Sequence, residues 1–176
     1  MKFLTLLAVL SSASASVLPK SRPRKHYNSP IAIVARDFPP VFNNPNWAGA
    51  VHSSSGFHYV EGTITVPKVS GGTGSAAAAW VGIDGSECPQ AIFQTGVSFH
   101  TDGTFEAWYE WYPEVSHNWD DFKIKAGDQI KMVIDATSKS SGTASLENLT
   151  TGQKVSHTVT KAPAEICGTN AEWIVE

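Results

Sequence analysis

The part of the chain from Trp47 onward is built from short runs of β-branched and aromatic residues, separated by Gly, Asp, Asn and Ser. No segment in it shows the 3.6-residue spacing of apolar side chains that marks an amphipathic helix, so the pattern predicts strands. Short strands bury a core by pairing into sheets that pack face to face, which favours a β-sandwich or a jelly roll. We predict nine strands, at residues 47–52, 58–66, 78–83, 91–99, 104–112, 128–137, 143–148, 154–160 and 171–175.

A turn signal lies between the fourth and fifth of these strands. Asp102-Gly103 separates Phe99 from Phe105. Asp followed by Gly is typical of tight hairpins, because two positive φ angles are easiest for such a pair. We therefore expect an antiparallel hairpin at this position.

The first residues have the features of a secretory signal. Met1-Lys2 is followed by an apolar run from Phe3 to Leu10 and then by small residues that end in Ala13-Ser14-Ala15. The apolar run is about half the length that a membrane span needs. We predict a signal peptide at residues 1–16, a secreted, extracellular product and no membrane association, in preference to a buried N-terminal strand.

Residues 17–45 form a proline-rich, basic segment that is not expected to fold alone. Residues 1–43 hold six Lys or Arg and one acid, which leaves seven basic and fifteen acidic residues in the remainder, a formal charge of −8. We interpret 17–45 as a pro-segment that binds electrostatically to the acidic domain at 46–176 until acid protonates the carboxylates. A plain basic linker is the alternative. The acidic balance also argues against nucleic acid as a partner.

The chain has two cysteines, Cys88 and Cys167. In a secreted protein they most simply form one disulfide, which would tie together two distant segments. Free thiols or a nucleophilic cysteine are less favoured, because neither cysteine has a neighbouring His.

Asn148-Leu149-Thr150 is an acceptor sequon for N-glycosylation. We expect Asn148 to be glycosylated on a surface turn.

Polar residues recur on one face of the predicted strands, because side chains alternate across a strand. In the segment 105–112, Glu106, Trp108, Glu110 and Tyr112 share a face that mixes carboxylates with rings, as a face that binds peptide or sugar would. An ordinary aromatic-rich solvent face is the alternative. If the registers agree, one face would carry Trp80, Asp84, Gln94, Glu110 and Glu172.

Several kinds of site lack their signatures in this sequence. There is no Gly-x-Ser-x-Gly elbow, no His-Glu-x-x-His, no Cys-x-x-Cys and no Gly-rich phosphate loop. The two Asp-Gly segments, at Asp84 and Asp102, do not have the order of the paired loops of pepsin-type enzymes. We therefore expect no metal and no cofactor, which leaves carboxyl chemistry. Gln94 and Glu172, polar residues in apolar, aromatic strands, are the candidates for it.

Eight motifs from 46 to 176 resemble, in order, those of the fungal glutamic peptidases, the eqolisin family. They are Asn46-Trp-Ala-Gly-Ala50, Gly62-Thr-Ile-Thr-Val-Pro67, Trp80-Val-Gly-Ile-Asp-Gly85, Ala91-Ile-Phe-Gln-Thr-Gly96, Ala107-Trp-Tyr-Glu-Trp-Tyr-Pro113, Gly127-Asp128, Glu147-Asn148 and Asn170-Ala-Glu-Trp-Ile-Val-Glu176.

The resemblance implies a concanavalin- or jelly-roll-like antiparallel β-sandwich, in which a curved seven-stranded sheet forms the substrate groove. It also implies a monomeric acid endopeptidase that acts on protein or peptide substrates. By motif, Gln94 matches the catalytic glutamine and Glu172 the catalytic glutamate. Trp80, Asp84 and Glu110 match cleft residues that support this pair or bind substrate, and we add Trp108 and Tyr112 from the same strand face.

The mechanism that the resemblance implies uses no covalent intermediate. Glu172 would take a proton from a water that attacks the peptide carbonyl and would then donate it to the leaving nitrogen, while Gln94 holds the water and stabilises the oxyanion. Members of the family usually continue past the segment that matches 170–176. We therefore expect this chain to be truncated at its C-terminus relative to them.

Two other functions fit the same residues. A jelly-roll glycoside hydrolase would use Glu110 and Glu172 as its carboxyl pair, with Gln94 as a sugar contact. A non-catalytic carbohydrate-binding module would stack sugars on the same aromatic rings without chemistry.

Overall fold

The computed structural model describes residues 46–176, and these form an all-β fold with two antiparallel sheets. The predicted fold class is confirmed. The ten strands are β1 Ala48–Ser53, β2 Tyr59–Thr65, β3 Ala76–Asp84, β4 Ile92–His100, β5 Phe105–Tyr112, β6 His117–Asn118, β7 Gln129–Ser138, β8 Ser141–Asn148, β9 Lys154–Val159 and β10 Asn170–Val175.

All nine predicted strands are present, each with ends within two residues of the prediction. The sequence did not predict β6, whose two residues pair with β5 through Trp108 and Asn118. Two residues are too few to show a period of two, so nothing local distinguishes β6 from a loop.

The strands divide into a larger and a smaller sheet. The larger has the order β1-β10-β3-β4-β5-β6 and the smaller β2-β7-β8-β9. Within the described residues the larger sheet thus has six strands, where the resemblance implied seven. In the larger sheet, β10 lies between β1 and β3. Both of these strands are far from β10 in the sequence.

The core lies between the two sheets and is filled by alternate residues of each strand. In β4 and β5, Phe93 and Trp111 are paired in register and their rings stack with centroids 4.2 Å apart. Ile130, Ile134 and other buried residues of β7 and β8 cover them from the smaller sheet. Because the odd-numbered residues of β4 and β5 point into the core, the even-numbered ones face away from it on the outer side of the larger sheet.

The predicted hairpin between β4 and β5 is present, but its backbone differs from the expectation. Only Gly103 has a positive φ, of 86°, so Asp102 does not adopt the conformation that the sequence suggested. The Asp102 carboxylate instead accepts hydrogen bonds from the Thr104 backbone N–H at 2.9 Å and the Thr104 hydroxyl at 2.7 Å. The aspartate stabilises the turn through its side chain rather than through its φ angle.

The predicted disulfide joins Cys88 to Cys167, with Cα atoms 6.1 Å apart. It links the β3–β4 connection to the segment that leads into β10. The two segments that carry Gln94 and Glu172 are therefore covalently tied, as expected.

The side chain of Asn148 contradicts the prediction of glycosylation. Asn148 is fully buried, and its Nδ2 donates to the Lys123 carbonyl at 3.2 Å and to Asp128 Oδ2 at 2.8 Å. Its Oδ1 accepts from the backbone N–H groups of Thr150 and Thr151. A glycan on Nδ2 would need the space and the donors that hold this turn in place, so the folded sequon cannot carry one.

The predicted signal peptide and pro-segment lie outside the described residues. Within 46–176, no helix has the length and apolar character needed to cross a membrane.

Candidate active site

A row of side chains crosses the outer face of the larger sheet from β1 to β5. The strand registers place Glu172 opposite Gly82, Gly82 opposite Gln94 and Gln94 opposite Glu110, with Val51 at the β1 end. Residues directly opposite each other in an antiparallel pair share a face. Gln94 and Glu172 therefore lie on the same face, on the two strands that flank β3.

The other predicted site residues lie in the two neighbouring rows of this face. Trp80 is in register with Gly96, which is in register with Trp108. Asp84 is in register with Ile92, which is in register with Tyr112. All seven residues singled out from the sequence thus share one face of one sheet, the face opposite the core.

Gln94 is bound to Glu110 at one end of the row. The amide Nε2 of the half-buried glutamine donates to Glu110 Oε2 at 2.8 Å. The pKa of Glu110 is raised, first because burial disfavours its charged form, and further by the negative charge of Glu176; the Gln94 hydrogen bond opposes both. Because a carboxylate only accepts hydrogen bonds, Glu110 holds the Gln94 side chain with its NH₂ group towards the carboxylate.

Glu172 lies at the other end and has an unusual environment. Its side chain is fully buried, and among the described residues neither carboxyl oxygen has a hydrogen-bond partner. Burial, reinforced by the negative charge of Asp84, raises the pKa of Glu172 to about 8. The backbone N–H of Ser86 lowers the pKa somewhat without reaching hydrogen-bond geometry. In this state the carboxyl is neutral in acid.

Asp84 is also fully buried, but both of its oxygens are saturated. Oδ2 accepts from the backbone N–H groups of Cys167 and Gly168 at 2.6 and 2.7 Å. Oδ1 accepts from the Thr169 N–H and hydroxyl, at 2.7 and 2.9 Å, and from the Asn170 N–H at 3.1 Å. Asp84 therefore holds the loop that leads into β10 and supports Glu172, instead of lying open in the cleft to contact substrate.

Asp84 adopts an uncommon backbone conformation to do this. Its φ is +65°, the only positive φ of a non-glycine residue in the described part of the chain. Aspartate tolerates the left-handed region better than most residues, and such outliers persist where the surrounding structure compensates for them. Here five hydrogen bonds supply the compensation.

The aromatic residues of the face differ in accessibility. Trp80 and Trp108 are buried in a small apolar cluster with Ile92 and Ile174. Trp80 Nε1 donates to Glu176 Oε2 at 3.3 Å, and Trp108 Nε1 donates to Ser98 Oγ at 3.0 Å. Tyr112 is 45% exposed. Of the three rings, only that of Tyr112 offers a large open surface to a ligand in this structure, while the two tryptophans form the floor.

Sequence reasoning gave no role to two residues of this face. Gly82 occupies the position between Glu172 and Gln94. Glu176 accepts the Trp80 indole N–H and acts electrostatically on Glu110. Period-two alternation from Glu172 places Glu176 on this face, whereas a glycine has no side chain for such a pattern to reveal.

One group of potential metal ligands is present in the described residues. A carboxylate oxygen of Asp84 and the sulphur atoms of Cys88 and Cys167 lie within 4.8 Å of one another. The sulphurs form the disulfide and the Asp84 oxygens accept five hydrogen bonds, so this group is not available to a metal ion.

Comparison with known proteins gives consistent results. Residues 45–176 match the Peptidase A4 family. Scytalidopepsin B from Scytalidium lignicola is 52% identical over 132 residues, which cover 74% of this chain and 51% of that protein. Aspergillopepsin-2 from Aspergillus niger is 47% identical over 155 residues, covering 74% and 55%.

A solved structure shares the fold. The crystal structure of scytalido-glutamic peptidase with a peptide-based transition state analog has a TM-score of 0.71 and 52% identity, over 74% of this chain and 64% of that one. The chain thus spans about half the length of the curated relatives it matches.

Proposed function

Because the chain belongs to the Peptidase A4 family, whose members here are glutamic peptidases, we propose that the protein hydrolyses peptide bonds with a Gln94–Glu172 dyad. A peptide substrate is supported by the relative that was solved with a peptide-based transition state analog. The proposed enzyme is a secreted acid endopeptidase.

The observation that carries the proposal is the fully buried, unpartnered carboxyl of Glu172. A buried polar group without a hydrogen bond costs roughly 1–3 kcal/mol. Such a cost, in the same row as the amide of Gln94, makes Glu172 a candidate for chemistry and not for stability. Asp84, two strand positions away on that face, shows that the fold can saturate a buried carboxylate where it needs to.

In the proposed reaction a water lies between Glu172 and Gln94. The Glu172 carboxylate removes a proton as the water attacks the scissile carbonyl, and the resulting acid gives that proton to the leaving nitrogen. The carbonyl oxygen of Gln94 accepts a hydrogen bond from the water. The Gln94 N–H that Glu110 does not use donates to the oxyanion.

The raised pKa of Glu172 sets a condition on this mechanism. With a pKa of about 8 the carboxyl is protonated in acid, and it must ionise to act as a base. A water that donates a hydrogen bond to the carboxylate stabilises the charged form and lowers the pKa. Activity in acid therefore requires the hydrated, substrate-bound site.

The rival glycoside hydrolase is less well supported. Glu110 and Glu172 lie three strands apart in the row, about 14 Å between backbones at the usual strand spacing. The amide of Gln94 lies between them and binds Glu110. A retaining glycosidase brings its two carboxyl groups within about 5.5 Å, with no intervening side chain.

The test is hydrolysis of denatured haemoglobin or casein at about pH 3, where the cleft acids can accept protons. Glu172→Gln and Gln94→Ala should each abolish proteolysis while the disulfide and the near-ultraviolet circular dichroism of the wild type persist. Glu147→Gln, on the outer face of the smaller sheet, is the matched control and should retain activity. Proteolysis that survives in either dyad variant, or hydrolysis of xylan or glucan instead, would overturn the proposal.

The N-terminal part of the proposal concerns processing. We propose that residues 1–16 direct secretion and that the basic segment 17–45 is removed from the acidic domain. N-terminal sequencing of the secreted protein should give a start near residue 46. A start at Val17 would contradict the pro-segment.

A further inference from the structure

Asn170 connects three parts of the chain at the start of β10. Its fully buried side chain accepts a hydrogen bond at Oδ1 from the Glu87 backbone N–H at 2.9 Å, and its Nδ2 donates to Ser53 Oγ at 3.0 Å. Ser53 ends β1, and Glu87 lies in the β3–β4 connection, residues 85–91. One side chain thus fixes both to the strand that carries Glu172, two residues further along.

The β3–β4 connection is also attached at two other points. Asp84, the last residue of β3, accepts hydrogen bonds from the segment 167–170, and the disulfide joins the connection to the same segment. Ser86 and Glu87 lie between these two points in the chain. Of the two, Glu87 is held by the Asn170 side chain. This hydrogen bond therefore sets the course of the backbone between Asp84 and the disulfide.

The chain turns sharply at the end of β3 and brings Ser86 close to Glu172. Asp84 and Gly85 have φ angles of +65° and +110°, so the backbone leaves the path of the strand here. Burial and the negative charge of Asp84 raise the pKa of Glu172, whereas the backbone N–H of Ser86 lowers it. An N–H donor has this effect because it favours the charged form of a carboxyl group.

The N–H groups of Ser86 and Glu87 belong to consecutive peptide units. Each peptide unit is planar, so only two backbone dihedrals relate one to the next. Fixing the Glu87 N–H on Asn170 therefore limits where the Ser86 N–H can point. In the described structure neither oxygen of Glu172 has a hydrogen-bond partner, so the Ser86 N–H acts on the carboxyl without yet donating to it.

We propose that Asn170 is a positioning residue that holds the β3–β4 connection so that the Ser86 backbone N–H donates to Glu172 when this carboxyl ionises. The inference rests on the proposed peptidase function, in which Glu172 becomes a carboxylate to remove a proton from water. A buried carboxylate is costly unless hydrogen bonds compensate its charge. A backbone N–H that is already held in place needs little rearrangement to supply one.

The first experiment follows the Ser86 amide proton by NMR while Glu172 titrates. In the wild type its ¹H resonance should move downfield as Glu172 ionises near pH 8, because the N–H then donates to a carboxylate. Glu172→Gln should remove this step, which assigns the step to Glu172. A Ser86 resonance that does not follow Glu172 in the wild type would overturn the inference, and this measurement needs no change at Asn170.

The second experiment compares Asn170→Ala with Ser53→Ala. Asn170→Ala removes the acceptor that holds the Glu87 N–H, whereas Ser53→Ala removes only the acceptor of Asn170 Nδ2 and leaves the Glu87 bond in place. Asn170→Ala should lose most of the Ser86 step, and Ser53→Ala should keep it. An unchanged step in Asn170→Ala, or an equal loss in both variants, would show that Asn170 does not act through the β3–β4 connection.

Turnover gives a third measurement on the same two variants. With a quenched peptide substrate in acid, kcat of Asn170→Ala should fall about tenfold or more while KM stays within about threefold, because Asn170 acts on Glu172 and not on the substrate. Ser53→Ala should keep kcat within about threefold.

Two results separate the inference from the function on which it rests. If Asn170 only stabilises the fold, both variants lower the free energy of unfolding without this difference in kcat, and that result would contradict the proposal. Absence of proteolysis in the wild-type protein would contradict the proposed function, and the titration of the Ser86 amide then still decides whether Asn170 positions this N–H.

Discussion

Asp84 and Glu172 are two buried carboxyl groups on the same face of adjacent strands, and they are held in opposite ways. Asp84 accepts five hydrogen bonds from the segment 167–170, whereas both oxygens of Glu172 lack a partner in the described structure. Both are fully buried. Burial alone therefore does not distinguish the structural acid from the proposed catalytic one, whereas their hydrogen-bond partners differ.

The two groups also depend on each other. The loop that Asp84 holds ends at Asn170, where β10 begins two residues before Glu172. The disulfide closes the same loop. Asp84 thus fixes the backbone that positions Glu172, and the negative charge of Asp84 helps to keep the pKa of Glu172 high.

The largest expected effect is on the pH dependence of stability. The pKa of Glu172 rises from 4.5 to about 8 on folding. The folded protein thus binds a proton that the unfolded chain has lost, so this contribution is complete below pH 4.5 and is lost as pH rises towards 8. The loss is on the order of 5 kcal/mol. Urea unfolding across this range should show it in the wild type.

The variant Glu172→Gln removes the titrating carboxyl. Its free energy of unfolding should fall much less between pH 4.5 and 8 than that of the wild type, because an amide does not titrate. Glu147→Gln, at an exposed ion pair with Lys154, should decline like the wild type. If Glu172→Gln declines just as steeply, Glu172 is not the neutral buried acid described above.

The next effect concerns Asp84. Asp84→Asn replaces one acceptor oxygen by an NH₂ group and leaves backbone donors of the segment 167–170 unpaired. The free energy of unfolding should fall by about 2–3 kcal/mol. Urea unfolding with the disulfide intact measures this, and Asp121→Asn, an exposed aspartate, is the control. A loss below about 0.5 kcal/mol would mean that Asp84 does not hold the loop.

A smaller effect is expected for Glu110, which binds Gln94 rather than the reacting atoms. Glu110→Gln should lower kcat about tenfold through poorer orientation of the amide, with KM nearly unchanged. Glu106→Gln, four residues away on the same face, is the matched control. If kcat is unaltered in Glu110→Gln, Glu110 does not orient the Gln94 amide for the proposed reaction.

The last prediction is that Asn148 carries no glycan. Like Asp84, Asn148 is a buried polar side chain whose donors and acceptors all have hydrogen-bond partners. Intact mass of the protein secreted from a glycosylating host should not change on treatment with an N-glycosidase. A glycan mass on Asn148 would contradict the structure.

Much of the fold and the common face of the site could be predicted from the sequence. Period-two alternation within β3, β4, β5 and β10 predicted that Trp80, Gln94, Glu110 and Glu172 share a face if the strand registers agree. The registers themselves come from the structure. What could not be predicted is which polar groups find partners. The hydrogen bonds that Asp84 and Asn148 make depend on segments that are distant in sequence.

The insertion of β10 between β1 and β3 has a consequence for the timing of folding. The row that contains Gln94 and Glu172 includes positions 51, 82, 94, 110 and 172, so it depends on contacts between residues far apart in the chain. Contacts of this kind form slowly. Gln94 and Glu110 come from the consecutive strands β4 and β5, whereas Glu172 comes from β10, far along the chain. Gln94 and Glu172 therefore come into one row only when the larger sheet closes around β10.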